Sequence, residues 1–453
     1  MTEPRAERQP EGASPAPVPA DAARASGFSH AWRALRHRNF RLFFGGQTIS
    51  LVGTWMTRIA TAWLVYRLTH NALLLGTVSF AGQIPTFLVA PFAGVFVDRV
   101  DRRQVLIWTQ TLAMVQSLLL AVLALSHRIT IGEILALSVF QGFINAFDMP
   151  GRQSFMVQMV DDRADLSNAI AINSSMVNVA RLVGPSLAGL VIAASSEGWC
   201  FLIDGVSYIA VIISLLMMRV KVAGLRTKAA SMFGELREGW SYVSSFTPIR
   251  TILLLFALVS LMGMPYMVLM PVFAGNVLHG GAHTLGFLMG AAGAGALVSA
   301  LSLVLRRSVR GLTKMIPISA IVFGASLVLF GFSHWLWLSL ALMLFTGFGM
   351  LQGLTASNTI IQTLAPEDKR GRVMSYYTAA FVGMAPFGSL LAGSMAQWIG
   401  APRTVMVTGS CCIAGGCWFF TRLRAIRKEM RPIYERLGII APLPQPVQEP
   451  AAN

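Results

Sequence analysis

The sequence predicts an all-α membrane protein, with twelve transmembrane helices in two six-helix bundles related by a pseudo-two-fold axis. Three observations carry that prediction. Of the 453 residues 55% are hydrophobic and only 12% are charged, about half the charged fraction of an ordinary soluble domain. The apolar residues gather into blocks of roughly 20, the length a helix needs to cross about 30 Å of hydrocarbon. The blocks are continuous rather than alternating. Lipid offers backbone groups no partner, so a spanning chain forms helices or a closed barrel, and continuous runs select helices.

In chain order, residues 1–28 are rich in Pro, Ala and charge and read as a disordered cytoplasmic tail. Trp32, Leu35 and Phe40 sit among arginines in His30–Arg41, an interfacial lead-in to the first span. Spans follow at about 40–66, 72–97, 104–125, 132–155, 168–195 and 199–218, giving an N-terminal bundle over 29–219. The linker 220–247 holds the longest polar stretch, and Phe233, Leu236, Trp240 and Val243 recur in it at helical spacing, as in a helix lying on the membrane surface. A C-terminal bundle over 248–421 contains spans at about 249–274, 284–305, 313–332, 335–360, 372–398 and 402–421, and 422–453 is a second cytoplasmic tail.

The net charge of +16 is mostly topological. With the N-terminus in the cytoplasm, only Arg67, Arg128 and Arg403 fall among external loops. Arg99/Arg102/Arg103, Arg306/Arg307/Arg310/Lys314 and Arg422/Arg424/Arg427/Lys428 all fall inside. That asymmetry is the positive-inside pattern. It places both termini in the cytoplasm, and the expected location is a bacterial inner membrane. No basic face accompanies stacking aromatics, so nucleic acid is not a partner. The expected partners are membrane lipid, a small-molecule substrate and protons, with the chain a monomer. Cys200, Cys411, Cys412 and Cys417 read as buried thiols, and no metal or cofactor is expected.

The halves show traces of duplication. Gln141-Gly142-Phe143 of the fourth span matches Gln352-Gly353-Leu354 of the tenth, and Gly184–Gly189 of the fifth matches Gly388–Gly393 of the eleventh. Parallel repeats of this kind build transporters whose site lies between the halves near the midplane.

Polar residues mark where that site should be. The first span carries Gln47, Ser50, Thr54, Arg58 and Thr61 at spacings of 3, 4, 4 and 3. The fourth carries Gln141, Asn145, Asp148 and Arg152, the fifth Ser174, Asn178 and Arg181, and the tenth Gln352, Thr355 and Thr359. Such spacing lines up one helical face. In a membrane that face meets other helices, as glue, or a wet cavity. Arg181 lies about 13 residues from either end of its span, roughly 20 Å from each surface, beyond the reach of snorkelling. The expected substrate-binding set is Gln47, Thr54, Arg58, Gln141, Asn145, Asn178, Arg181, Gln352 and Thr359. Asp148 or Asp204 is the expected proton carrier; the other reading of Asp204 is a shallow acid satisfied near the interface. Met262, Met264, Met267 and Met270 of the seventh span read as packing. No phosphate-binding loop, nucleophile elbow or His-Glu-x-x-His is present, so an ATP-driven pump or an intramembrane hydrolase is disfavoured.

After the second span the chain runs Gly94-Val95-Phe96-Val97-Asp98-Arg99-Val100-Asp101-Arg102-Arg103. This resembles the signature loop of the major facilitator superfamily. Asn145–Gln153, Asn168-Ala169-Ile170 and Ala180–Pro185 resemble a narrower branch, the enterobactin-exporter-like transmembrane secretion effectors. The resemblance implies efflux of a siderophore-like or drug-like molecule by proton antiport. It also implies a conformational latch: Asp98 meeting the start of the eleventh span, Gly94 allowing close approach, Arg99, Arg102 and Arg103 pairing acids, and Gly184-Pro185 bending the fifth span at the interface between halves. The chain departs from the pattern twice. Asp101 replaces a glycine, and Ser138 stands where the family has an arginine linked to proton coupling. Coupling is then expected to pass to Arg58 or Arg181 electrostatically, with Asp148 or Asp204 carrying the proton. Two intramembrane arginines favour an anionic or acceptor-rich substrate. Multidrug efflux of lipophilic compounds and proton-coupled import are the alternatives.

Overall fold

A computed structural model describes residues 33–160, 162–219, 232–306, 309–367 and 369–440. The tail at 1–28, Trp32, the 220–231 part of the linker, and Arg307 lie outside the described residues. The helices are α1 (Arg38–Thr69), α2 (Ala72–Val97), α3 (Arg102–Leu125), α4 (Ile131–Met159), α5 (Leu166–Ala194), α6 (Glu197–Met217), α7 (Met232–Ser245), α8 (Thr247–Val277), α9 (Ala282–Val304), α10 (Leu312–Phe332), α11 (Leu336–Leu364), α12 (Arg370–Ile399) and α13 (Ala401–Arg436). Among the described residues, eleven helices are long and apolar enough to cross a membrane. The twelfth, α1, has 32 residues, ample length at 1.5 Å each. It falls short in apolarity because its polar stripe, Gln47 to Thr61, runs through the middle of the span.

Short turns with specific caps set the helix ends. Asn71 caps α2 by accepting from the Leu73 and Leu74 amides at 2.8 and 3.3 Å. Asp101, at the position where the resembling family has glycine, caps α3 through the Arg103 amide at 2.9 Å. Thr130 and Glu133 form a capping box on α4. Thr130→Ala removes half of that box and is expected to cost about 1 kcal/mol. A Tm within a degree of the parent's, measured in detergent, would refute it.

Each half repeats one set of pairings. In the first, α1 packs on α5 and α6, α2 on α4, and α3 on α4 and α6. In the second, α8 packs on α12 and α13, α9 on α11, and α10 on α11 and α13. Two seams join the halves, α2 with the Ala385–Ile399 part of α12, and α5 with α9. The twelve crossings put Arg38, at the start of α1, and Arg436, at the end of α13, on one face, called here the terminal face. The turns at His70–Asn71, Ser195–Ser196 and Gly400 lie on the far face.

The matched repeats sit on these seams. The absent Cβ of Gly393 would lie 2.8 Å from the Ala72 carbonyl on α2, and that of Gly189 would lie 2.7 Å from the Ala282 carbonyl on α9. One turn deeper the symmetry continues: Gly184 touches Val52 and Trp55 of α1, and Gly388 touches Leu261 and Pro265 of α8. Glycine at these points lets two backbones meet where any side chain would hold them apart.

At the ends, packing fixes two further elements. The linker helix α7 is anchored on α12, with the Trp240 ring 5.8 Å from that of Tyr376 and Val243 buried. The last helix runs past residue 421 to Arg436, because Leu423, Ile426, Met430 and Tyr434 bury one continuous face.

Candidate functional site

Close contact between α1 and α5 builds the centre of the molecule. A Cβ on Gly184 would lie 2.5 Å from Cβ of Trp55, so glycine is what allows the indole to seat against α5. One turn earlier on α5, Arg181 places its guanidinium 5.4 Å from the Trp55 ring centroid. Arg58, three residues along α1, places its own 5.0 Å from the same ring. Both distances are within the range of a cation–π contact. Nε and Nη1 of Arg181 are buried with no hydrogen-bond partner, and no salt bridge among the described residues reaches either arginine. Two positive charges share one aromatic ring with no carboxylate paired to either among the described residues. Tyr266 opens the Tyr266–Val272 part of α8, which packs on α1 across the halves; it is 1% exposed and its hydroxyl has no partner.

The two acids have different surroundings. Asp148 is buried and saturated: Oδ1 accepts from Thr109 Oγ1 at 3.0 Å and Gln110 Nε2 at 2.6 Å, and Oδ2 accepts from Arg152. Asp204 is 2% exposed, and its Oδ2 accepts from Thr57 Oγ1 at 2.9 Å and Ser117 Oγ at 3.0 Å. Its Oδ1 is buried with no partner. Gly53 keeps that oxygen free, since a Cβ there would come within 2.8 Å of it. Thr57 adjoins Arg58, so one turn of α1 joins the acid to the arginine cluster.

The remaining expected residues divide. Thr54 donates to the Ser50 carbonyl at 3.0 Å and lies 3.5 Å from the Tyr208 hydroxyl, and Gln47 is buried on the same face of α1. Gln141 donates to Asn145 at 3.1 Å, and Asn178 donates to the Ser174 carbonyl at 2.9 Å. Gln352 turns into its own half, its Oε1 accepting from Ser299 at 2.8 Å and Ser302 at 3.3 Å, which is interhelical glue. Thr359 bonds the Thr355 carbonyl at 2.9 Å.

The latch residues are apart from α12 in this structure. Asp98 is half-exposed and pairs with Arg102 at 3.1 Å, and the space around the Gly94 Cβ position is open to 4 Å. Arg103 instead caps α6, donating to the Leu215 and Leu216 carbonyls at 2.7 Å each. The Arg99 amide donates to the Phe96 carbonyl at 3.0 Å, and among the described residues its side chain makes no hydrogen bond, ion pair or ring contact. Pro185 presents its carbonyl to Gly286 of α9 at the seam. Toward the far face the halves are shut. Tyr66 donates to Asn276 Oδ1 at 2.6 Å, and Ser79 donates to Ser389 Oγ at 3.1 Å. Arg58 and Arg181 lie midway along α1 and α5, below these contacts between the halves.

The sequence matches the family described as transmembrane secretion effector over residues 29–436. The chain belongs to that family. Transmembrane secretion effectors of this type are major facilitator transporters, not enzymes. One similar protein is a staphyloferrin A transporter of Staphylococcus aureus, 26% identical over 86% of this chain and 98% of the relative. The multidrug efflux pump Tap of Mycolicibacterium fortuitum is 25% identical over 84% and 95%. An enterobactin exporter of Citrobacter koseri is 25% identical over 87% and 94%. Among solved structures, an inward-facing bacterial homologue of the lysosomal transporter Spinster aligns with a TM-score of 0.67 at 12% identity, covering 87% of this chain and 98% of that one. A peptide-transporter-family structure aligns at 0.69, also at 12% identity, covering 86% and 96%. At that identity the likeness concerns the fold alone. For this secretion effector, sequence reading missed Trp55, which stands beside Thr54 and three residues before Arg58. An aromatic inside a polar stripe was the available signal.

Proposed function

We propose that this transporter exports an anionic small molecule from the cytoplasm by alternating access, in exchange for protons. The observation that carries the reading is the pair Arg58 and Arg181 on Trp55, with no acid beside them. An unpaired charge inside a membrane protein is costly and normally serves a pathway or ligand. A cationic drug would meet repulsion there, and an oxyanion would meet the two buried, unpartnered nitrogens of Arg181.

The positive-inside pattern favours a cytoplasmic terminal face, and the arrangement then corresponds to the inward-facing state, ready to load from the cytoplasm. Of the two candidate acids, Asp204 is the better proton carrier. Its Oδ1 is vacant, whereas both oxygens of Asp148 are occupied. A proton on Asp204 neutralises the acid that Thr57, the α1 neighbour of Arg58, holds at 2.9 Å, and this contact through α1 is the proposed link between proton occupancy and the anion site.

Inside-out vesicles test the reading. A catecholate siderophore is expected to accumulate under a proton gradient, and a cationic dye is not. Dye uptake without siderophore uptake would establish multidrug efflux instead, an activity named for one of the relatives. Asp204→Asn keeps an acceptor for Thr57 and Ser117 and removes the titrating group. It is expected to abolish gradient-driven accumulation while leaving substrate exchange across the vesicle intact. Unchanged gradient-driven uptake in that variant would remove Asp204 from the mechanism.

A further inference from the structure

We propose that Tyr266 is the second half's ligand for the transported anion, which binds between Arg181 and Tyr266 and so ties the two halves together. The inference rests on the anionic-substrate reading above and adds the residue that α8 contributes.

Three buried polar atoms, Nε and Nη1 of Arg181 and the hydroxyl of Tyr266, have no hydrogen-bond partner. They belong to opposite halves, and the Tyr266–Val272 part of α8 packs on α1, the helix whose Trp55 carries the Arg181 guanidinium. Buried donors are ordinarily satisfied, and orphans from two elements facing one another describe a place for an acceptor. The backbone is built to hold the phenol there. α8 is interrupted by a π-turn at Val259–Gly263, then by Pro265, and resumes as α-helix at Tyr266. Interruptions of this kind cluster at binding sites in membrane carriers. The Phe323 ring, 6.1 Å away and edge-on, backs the phenol from inside the second half.

The pseudo-symmetry points the same way. Gly184 seats α5 against Trp55 in the first half, and Gly388 seats α12 against Pro265 in the second. The residue following Pro265 therefore occupies the region that the Trp55–Arg58 turn occupies on the other side. The first half brings cations and an aromatic face, and the second brings a hydroxyl donor. The ligand that satisfies both has an oxyanion at that end, whether carboxylate, catecholate or hydroxamate. An ammonium offers nothing for either donor.

The test uses the purified full chain in detergent with 2,3-dihydroxybenzoate as probe and the uncharged 2,3-dihydroxybenzamide as control, read by calorimetric Kd and by probe-induced rise in Tm. Tyr266→Phe removes only the hydroxyl. Its ligand-free Tm should equal or exceed the parent's, since an unsatisfied buried group is lost, while Kd for the benzoate rises about tenfold, the effect of one hydrogen bond to a charged group. Parent-like benzoate binding by Tyr266→Phe, alongside lost binding by Arg181→Gln, would overturn the role of Tyr266 and leave the anion site standing. Absent binding to the parent, or equal binding of the neutral amide, would overturn the anion site and this inference with it. A ligand-free Tm several degrees below the parent's would also overturn it, because the hydroxyl would then have a structural partner.

Discussion

Arg181→Ala is expected to lower gradient-driven accumulation of an anionic siderophore by about tenfold to a hundredfold while the protein still inserts and folds. The magnitude is that of hydrogen bonds to a charged group, about 1.5–3 kcal/mol. Two lines of reasoning separate function from stability here. Among the described residues no salt bridge ties Arg181 to the bundle, and two of its nitrogens are buried without a partner, so truncation removes an uncompensated charge and orphans nothing. Tm should therefore hold or rise. Arg152→Ala is the contrasting case: it leaves Asp148 buried without its cation, at a cost of about 1–3 kcal/mol or more. Arg181→Lys keeps the charge but loses the planar stacking on Trp55, and should fall between parent and alanine. A parent-like rate in Arg181→Ala would return that arginine to a purely structural role.

The second large effect concerns the seams. Gly76→Val and Gly286→Val together are expected to swing the transporter from closed to open at the far face. A Cβ at Gly76 would stand 2.5 Å from the Ser389 carbonyl, and one at Gly286 would stand 2.6 Å from the Pro185 carbonyl. Both obstacles are backbone and cannot rotate aside, so α2 must leave α12 and α9 must leave α5. Overpacking costs about 1–3 kcal/mol per site, and two separate seams add nearly independently. The sum approaches the roughly 5.5 kcal/mol that reverses a 99:1 equilibrium. Ser79→Cys, in a background without the four native cysteines, reports the change through its position against Ser389. Labelling by an impermeant maleimide from the far face should rise at least tenfold, and unchanged labelling would defeat the prediction.

Sequence spacing was enough to find the spans, the two halves and the arginines, because those depend on local periodicity and on charge in an apolar run. The repeat between Gly184–Gly189 and Gly388–Gly393 was legible too, and it marks both seams. Partnership was not legible. Asp148 and Asp204 look alike as isolated acids in apolar helices. Only the approach of Thr109, Gln110 and Arg152 to one, and the space that Gly53 leaves beside the other, tells them apart. Gln352 shares the helical spacing of a cavity residue, yet Ser299 and Ser302 claim it from behind. Tyr266 stood in a run of methionines with no polar neighbour to mark it. Its setting depends on a π-turn and a proline break, which periodicity does not record.

The polar face of α1 has a consequence for biogenesis. α1 enters the membrane first, yet its middle is the least apolar of the twelve crossings, and Arg58 adds a charge. Its partners are made late. Thr57 waits for Asp204, 147 residues downstream, which at 5–20 residues per second is about 7–30 seconds of synthesis. During that interval α1 has no α5 or α6 to cover its polar side. It must be sheltered by the insertion machinery, or sit shallowly at the headgroups, until the sixth crossing arrives. The leading helix of this chain is stably embedded only when the first bundle is nearly complete.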